Sequence, residues 1–192
     1  MPLPKEKSNY TYADYLSFES DERMEIINGE IVMMSSPSIS HQRISGKIFK
    51  QLADFLDGKP CEVFSAPLDV RPFEKAGDNP KYVDTVVQPD ILVVCNKSKL
   101  DEHGVKGAPD LVIEILSPST QGHDCFVKLN LYQQAGVREY WIADPETETV
   151  KVFLLDDEGI YHTAKAYKKT DIVKVNVLNG CFIELSKVFP ED

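Results

Sequence analysis

The 192-residue sequence has no apolar run of the roughly 18 residues that a membrane-spanning helix needs. Residues 1–7 also lack the hydrophobic stretch of a secretory signal, so we expect a soluble cytoplasmic protein. There are only four cysteines and no CxxC pair: Cys61, Cys95, Cys125 and Cys181. This spacing is typical of neither a zinc site nor a disulfide-rich fold, and it predicts that most of these cysteines are reduced core residues.

Several common functional motifs are missing as well. The sequence has no glycine-rich phosphate loop, no GxSxG and no HExxH, and its four histidines lack ligand-like spacing. Positive charge is scarce, since 21 lysines and arginines face 31 acidic residues and the formal net charge is -10. Nucleic-acid binders usually present a basic surface, so this balance counts against such a role unless the cations gather locally.

Two acidic residues stand inside short runs of aliphatic and β-branched residues that are typical of interior strands. Asp90 lies in the run 88–94 and Glu114 in the run 110–116. A buried carboxylate is costly unless it is paired, hydrogen-bonded or bound to a metal ion. If the two strands are antiparallel neighbours, side-chain alternation lets these carboxylates meet on one face. Oxygen-only ligation then predicts a Mg²⁺ site, with Mn²⁺ as the alternative.

A lysine occupies an unusual place on the helix that is predicted to end at Gly136. On a helical wheel Lys128 falls within an apolar stripe, whose members are Cys125, Leu129, Leu131, Tyr132 and Ala135. A lysine that faces the core needs an anion, and the carboxylate pair or a transferring phosphoryl group would supply one. The alternative is a lysine whose stem covers apolar surface while its ammonium reaches water.

Local signals predict the remaining elements. Asn28-Gly29 joins two short strands, 24–27 and 30–34, into a hairpin. A helix over 41–56 carries an apolar stripe on one side and Arg43, Lys47 and Lys50 on another, which makes these three cations candidates for phosphate contacts. We further expect a strand over 61–70 and a mobile, charged loop over 96–108.

These elements predict an α/β fold in a single domain, 1–192, with a central mixed sheet flanked by helices. The core spans about residues 10–145, and a β-rich extension follows over about 146–189. The extension either packs against the sheet or pairs with a second copy of the chain.

The order of these elements resembles the PD-(D/E)xK nuclease core that many restriction endonucleases share. The stretches 89–94, 107–120 and 128–143 are similar to a large bacterial family known as putative restriction endonucleases, formerly a domain of unknown function. The usual motif lysine would stand at Leu116, so the resemblance implies that this lysine has moved to Lys128. It also implies that Glu30 and His41 lie at the rim of the site.

We therefore expect a Mg²⁺-dependent endonuclease that acts on nucleic acid, with DNA as the expected substrate, as a homodimer. Asp90, Glu114 and the carbonyl of Ile115 would bind the metal, and Lys128 would assist at the phosphate. Asp90 could instead cap a turn, and His41 could be an ordinary core or first-turn histidine. The alternative function is a non-catalytic accessory module that binds nucleic acid or protein, which the acidic balance favours.

Overall fold

The computed structural model describes residues 9–18, 23–117, 123–162 and 165–189. Within these ranges the α-helices are α1 (Tyr12–Tyr15), α2 (Ile39–Leu56) and α3 (His123–Ala135). The strands are β1 (Met24–Ile27), β2 (Glu30–Met33), β3 (Glu62–Ser65), β4 (Val70–Arg71), β5 (Ile91–Val94), β6 (Leu100–Asp101), β7 (Gly104–Lys106), β8 (Leu111–Ile115), β9 (Glu139–Asp144), β10 (Thr149–Leu154), β11 (Lys165–Lys168), β12 (Ile172–Lys174) and β13 (Phe182–Glu184). No helix in these ranges has the length and hydropathy of a membrane span.

A six-stranded mixed sheet forms the centre of the fold, in the order β11-β10-β9-β8-β5-β3. β8 and β9 run parallel, because α3 provides the crossover between them, and the other neighbours are antiparallel. β5 and β8 are therefore antiparallel neighbours, with Ile91 opposite Ile113. One residue further along this register, Asp90 comes opposite Glu114. The expected α/β fold with a central mixed sheet is confirmed.

Each face of the sheet buries a different partner. Ile91 and Ile113 point to the face that is covered by α2 and by the last segments of the chain. Leu92 and Val112 point to the opposite face, where they pack with Tyr132 of α3. Asp90 and Glu114 belong to this second face by strand alternation. The two carboxylates therefore lie on the same side of the sheet as α3.

The predicted hairpin and helices follow their local signals. Asn28 and Gly29 both have positive φ, 51° and 80°, as the tight turn between β1 and β2 requires. α2 begins two residues earlier than expected, because Ser38 caps it by accepting a hydrogen bond from the His41 backbone N–H. α3 ends at Ala135, and Gly136 follows with φ 82°, which confirms the predicted glycine stop.

Two predictions between residues 61 and 108 are wrong. The single strand over 61–70 is two strands in different sheets, because the chain leaves the central sheet after Ser65. The loop over 96–108 contains β6 and β7, which form a three-stranded sheet with β4. The buried guanidinium of Arg71 donates to the Asp101 carboxylate at 2.7 Å, so a long-range ion pair fixes this segment.

The cysteine prediction is also wrong for one pair. Cys61 and Cys95 form a disulfide. They flank β3 and β5 at facing positions, since Glu62 pairs with Val94, and this places the two residues side by side. Cys181 is a free, buried cysteine as expected, and the side chain of Cys125 lies outside the described residues.

The β-rich extension packs against the rest of the chain. Its first strands, β10 and β11, extend the central sheet, and the β12–β13 hairpin covers the face that carries α2. Glu139 of β9 is fully buried and anchors the segment after β12, because its carboxylate accepts from Val177 N at 2.8 Å and Asn176 Nδ2 at 3.1 Å. The extension therefore packs against the sheet, which is one of the two arrangements expected from the sequence.

Candidate active site

Asp90 stands at the entrance to β5 and is held by two donors. Its Oδ2 accepts a hydrogen bond from Ile115 N at 2.8 Å and contacts Nε2 of His41 at 3.0 Å. The Ile115 bond ties Asp90 to the neighbouring strand, and His41 reaches it from the first turn of α2. Because a carboxylate only accepts, His41 Nε2 carries the proton in this contact. Asp90 is therefore oriented across two elements, which a simple turn cap would not require.

Glu114 and Lys128 form the centre of the cluster. The Lys128 ammonium donates to Glu114 Oε1 at 2.9 Å and to Glu25 Oε1 at 2.9 Å. The side chains of Lys128 and Glu114 are only 14% and 12% exposed, and that of Glu25 is 3% exposed. The ammonium therefore lies between two carboxylates rather than in water, and the alternative of a solvated ammonium is wrong.

Glu25 and Tyr132 are members of the cluster that the sequence analysis missed. Glu25 lies in β1, and its Oε1 also accepts from Gln88 N at 2.8 Å. The hydroxyl of Tyr132, one turn beyond Lys128 on α3, donates to Glu114 Oε1 at 2.7 Å. Glu25 carried the signal that had singled out Glu114, an acidic residue in an apolar strand. Tyr132 carried none, because a tyrosine on an apolar helix stripe has the pattern of a core residue.

The cluster holds more negative than positive charge. Burial raises the pKa of Glu114 to about 7, and the charges of Asp90 and Glu25 add to this effect against the attraction of Lys128. Burial disfavours the charged form of Lys128, but Glu114 and Glu25 outweigh it and raise the pKa of this ammonium. Two carboxylates, Glu25 and Glu114, thus share the Lys128 ammonium, and Asp90 adds a third acidic group that raises the pKa of Glu114.

A cavity of about 510 Å³ opens beside this cluster. One face of the β1–β2 hairpin forms one side, and the ends of β5 and β8 form the other. The predicted rim residues Glu30 and His41 both line it. Arg43, Lys47 and Lys50 do not line it; all three are exposed on α2, and Lys50 pairs with Asp54 at 2.6 Å. The structure thus brings together Asp90, Glu114, Lys128, His41 and Glu30, and leaves the three surface cations outside.

The comparisons with known proteins agree with this architecture. A family model described as Uma2, putative restriction endonuclease, matches residues 11–186. The chain belongs to this family. Family membership supports a nuclease, and therefore a hydrolase, as the class of protein.

Two relatives of this Uma2 chain come from Synechocystis sp. (strain ATCC 27184 / PCC 6803 / Kazusa). The uncharacterized protein slr1290 is 26% identical over 163 residues, which cover 82% of this chain and 78% of the relative. The uncharacterized protein sll1609 is 27% identical over 139 residues, which cover 70% and 74%. A crystal structure of a putative nuclease belonging to DUF820 from Anabaena variabilis ATCC 29413 covers 94% of this chain and 97% of its own. At 20% identity its TM-score of 0.74 shows a shared fold.

The Uma2 chain departs from the usual PD-(D/E)xK spacing in the way that the sequence indicated. Leu116 stands two residues after Glu114 and lines the cavity with an aliphatic side chain. The lysine that contacts Glu114 comes instead from α3, fourteen positions further along the chain.

The donor set fits a hard divalent ion. In the described residues Asp90 Oδ1 and Glu114 Oε2 accept no hydrogen bond, whereas the second oxygen of each carboxylate is held by the protein. Among the residues that the structure describes, no group of three or more His, Cys, Asp or Glu side chains has metal-binding geometry. Two carboxylates without soft ligands suit Mg²⁺, which keeps several of its waters, better than zinc.

Proposed function

We propose that this chain is a Mg²⁺-dependent endonuclease that hydrolyses phosphodiester bonds of nucleic acid, with DNA as the substrate and Mn²⁺ as a possible substitute ion. The observation that carries the proposal is the ammonium of Lys128, buried between Glu114 and Glu25 on the face of the sheet that also carries Asp90. A buried lysine among carboxylates at the edge of a cavity is expensive to maintain for structure alone.

Asp90 and Glu114 are the proposed metal ligands, together with the backbone carbonyl of Ile115. Each carboxylate is held by the protein through one oxygen, which would leave its other oxygen for the ion. Mg²⁺ would supply a water of lowered pKa and would offset charge on the phosphate. His41 then acts as a positioning residue, because its Nε2 proton holds Asp90 Oδ2.

Lys128 is the proposed catalytic cation. Its ammonium would orient the attacking water and stabilise the negative charge that develops on the phosphoryl oxygens. Glu25 keeps that ammonium at the site, since it holds Lys128 independently of Glu114. If Glu114 binds a metal ion, Glu25 would remain as the buried counter-ion of the Lys128 ammonium.

The cations of α2 are the proposed contacts to the nucleic-acid backbone away from the cavity. Arg43, Lys47 and Lys50 are exposed on a helix whose first turn reaches the site through His41. They would supply local positive charge on a chain whose net charge is -10.

A cytoplasmic homodimer completes the proposal, because two-fold symmetry is the simplest way to cut both strands of a duplex.

Plasmid nicking by wild-type protein and by Lys128→Ala, with and without Mg²⁺, tests this function. We expect nicking that requires Mg²⁺ and that falls about 100- to 1,000-fold in the variant. Lys151→Ala, which changes an exposed lysine on β10, is the matched control and should nick normally. Absence of cleavage on every DNA and RNA tried, with metal binding intact, would contradict the enzyme and favour the non-catalytic accessory module.

A further inference from the structure

The cavity has apolar as well as acidic side chains in its lining. Glu25 pairs with Val32, and Ile27 pairs with Glu30, so these four side chains share one face of the β1–β2 hairpin. Val32 and Ile27 therefore line the cavity from the hairpin, and Leu116 and Val127 add apolar surface from the other elements. An ion and its waters need no apolar wall, so this surface points to an organic group next to the metal-binding carboxylates.

A cation lines the same cavity. The Nε and Nη2 atoms of Arg23 donate to Gln88 Oε1 at 3.2 and 3.1 Å. The Gln88 amide is itself fixed, because its Nε2 donates to Asp69 Oδ1 at 2.9 Å and to the Tyr15 hydroxyl at 3.0 Å. The acceptor that orients Arg23 is thus neutral, and the described residues place no carboxylate within 4 Å of its guanidinium. Among the described residues, therefore, no carboxylate offsets the charge of Arg23, and its guanidinium can bind an anionic ligand.

The combination of a fixed guanidinium, an apolar wall and a carboxylate pair matches the parts of one nucleotide. A phosphate suits Arg23, whose planar group binds phosphate oxygens through paired hydrogen bonds. A base suits the apolar surface that Val32 and Ile27 offer on the hairpin side and Leu116 offers on the other side. The cavity, at about 510 Å³, has the size of a small-molecule site and would enclose a single nucleotide rather than a section of duplex.

We infer that the cavity receives one unstacked nucleotide of the strand to be cut, and this inference rests on the proposed nuclease function. The phosphate of that nucleotide would contact Arg23, and its base would pack against Val32. Taking a base out of a stack costs free energy, and the cost is least where that base is unpaired. We therefore expect single-stranded nucleic acid, or a duplex with an unpaired position, to bind more tightly than a fully paired duplex.

Three labelled DNAs that share one strand test the inference: the single strand, a duplex with one unpaired nucleotide, and the fully paired duplex. Binding is measured by fluorescence anisotropy with Ca²⁺ in place of Mg²⁺, and cleavage is measured separately with Mg²⁺. We expect the two DNAs with unpaired nucleotides to bind at least about tenfold more tightly than the paired duplex.

Two variants identify the cavity as the source of that preference. Arg23→Gln should weaken binding of the single strand about tenfold, because a charge-assisted contact is lost. Val32→Phe fills the cavity and should abolish the preference for unpaired DNA. The matched controls are Lys151→Gln and Leu154→Phe, both on β10 and outside the cavity, and they should bind as the wild type does. Circular dichroism establishes that all four variants are folded.

The outcomes separate this inference from the proposed function. Metal-dependent cleavage with equal affinity for paired and unpaired DNA would overturn the inference and leave the nuclease standing. A preference for unpaired DNA that both cavity variants retain would also overturn it. A preference that both variants lose, without cleavage of any substrate, would support the nucleotide site and contradict the nuclease. Failure to bind any of the three DNAs would contradict both.

Discussion

At the scale of single residues, the proposed role of Glu25 is to hold the charged ammonium of Lys128 at the site. The Glu25 carboxylate is almost wholly buried and accepts from both the Lys128 ammonium and the Gln88 backbone. Glu25→Gln keeps the size of the side chain and removes its charge. We expect kcat for nicking to fall about 10- to 100-fold with little change in KM, because Lys128 is held less firmly while the substrate contacts remain.

The control for this change is Glu102→Gln, which alters a glutamate that is 85% exposed in the β6–β7 turn. It should leave both kinetic constants unchanged. A Glu25→Gln variant with normal kcat, or with a raised KM alone, would contradict the positioning role.

The pKa of Glu114 predicts how metal affinity depends on pH. Burial and the neighbouring carboxylates raise this pKa to about 7, so without metal the group is largely protonated at pH 6 and largely ionised at pH 8. A metal ion binds the ionised form, and protons therefore compete with it below pH 7. Mg²⁺ affinity should rise from pH 6 to pH 8, and binding at pH 6 should release a proton.

Isothermal titration calorimetry in two buffers of different ionisation enthalpy measures both the affinity and the protons released. A Mg²⁺ affinity that does not change between pH 6 and pH 8 would contradict the proposal that Glu114 must lose a proton to bind the ion.

The sequence identified some members of the site and missed others for definable reasons. Asp90 and Glu114 could be predicted because an acidic residue in an apolar strand is locally anomalous, and Lys128 because it breaks an apolar helix stripe. Arg23 and Gln88 could not be predicted as a pair, because they meet only through the packing of the β1–β2 hairpin beside the entrance to β5.

At the scale of elements, α2 is proposed to give the protein its affinity for the nucleic-acid backbone. Lys50 is already paired with Asp54, so Lys47 is the more useful residue for a test. Lys47→Gln should reduce the slope of log affinity against log salt by about 0.9 on double-stranded DNA, the effect of one lost phosphate contact.

Affinity measured at several salt concentrations checks this slope. Lys174→Gln changes an exposed lysine on β12 and is the matched control, which should keep the wild-type slope. An unchanged slope in Lys47→Gln would remove α2 from the binding surface.

Elements with local signals were predicted best. The β1–β2 turn, the Ser38-capped α2 and the end of α3 depend on nearby residues, and the sequence located each of them to within about two residues. The strand break after Ser65 and the ordered segment 96–108 depend on distant partners, since β4 pairs with β7 and Arg71 binds Asp101. Periodicity in a single sequence does not report such pairings.

At the scale of the whole molecule, the net charge of -10 does not describe the charge beside the candidate site. The carboxylates Glu25, Asp90 and Glu114 are concentrated in the buried cluster, where they are proposed to act on a metal ion. Cations occupy the cavity wall, at Arg23, and the exposed side of α2. Net charge alone favoured a non-catalytic module, whereas the distribution of charge supports a nuclease.

The central claim is that Asp90 and Glu114 bind one divalent ion beside the ammonium of Lys128. A crystal structure of the protein with Mn²⁺, with data collected for anomalous scattering, tests it most directly. The account predicts a single anomalous peak in contact with a carboxylate oxygen of each acid, with Lys128 still held by Glu25. A peak elsewhere, or no peak at these carboxylates in Mn²⁺-saturated crystals, would contradict it.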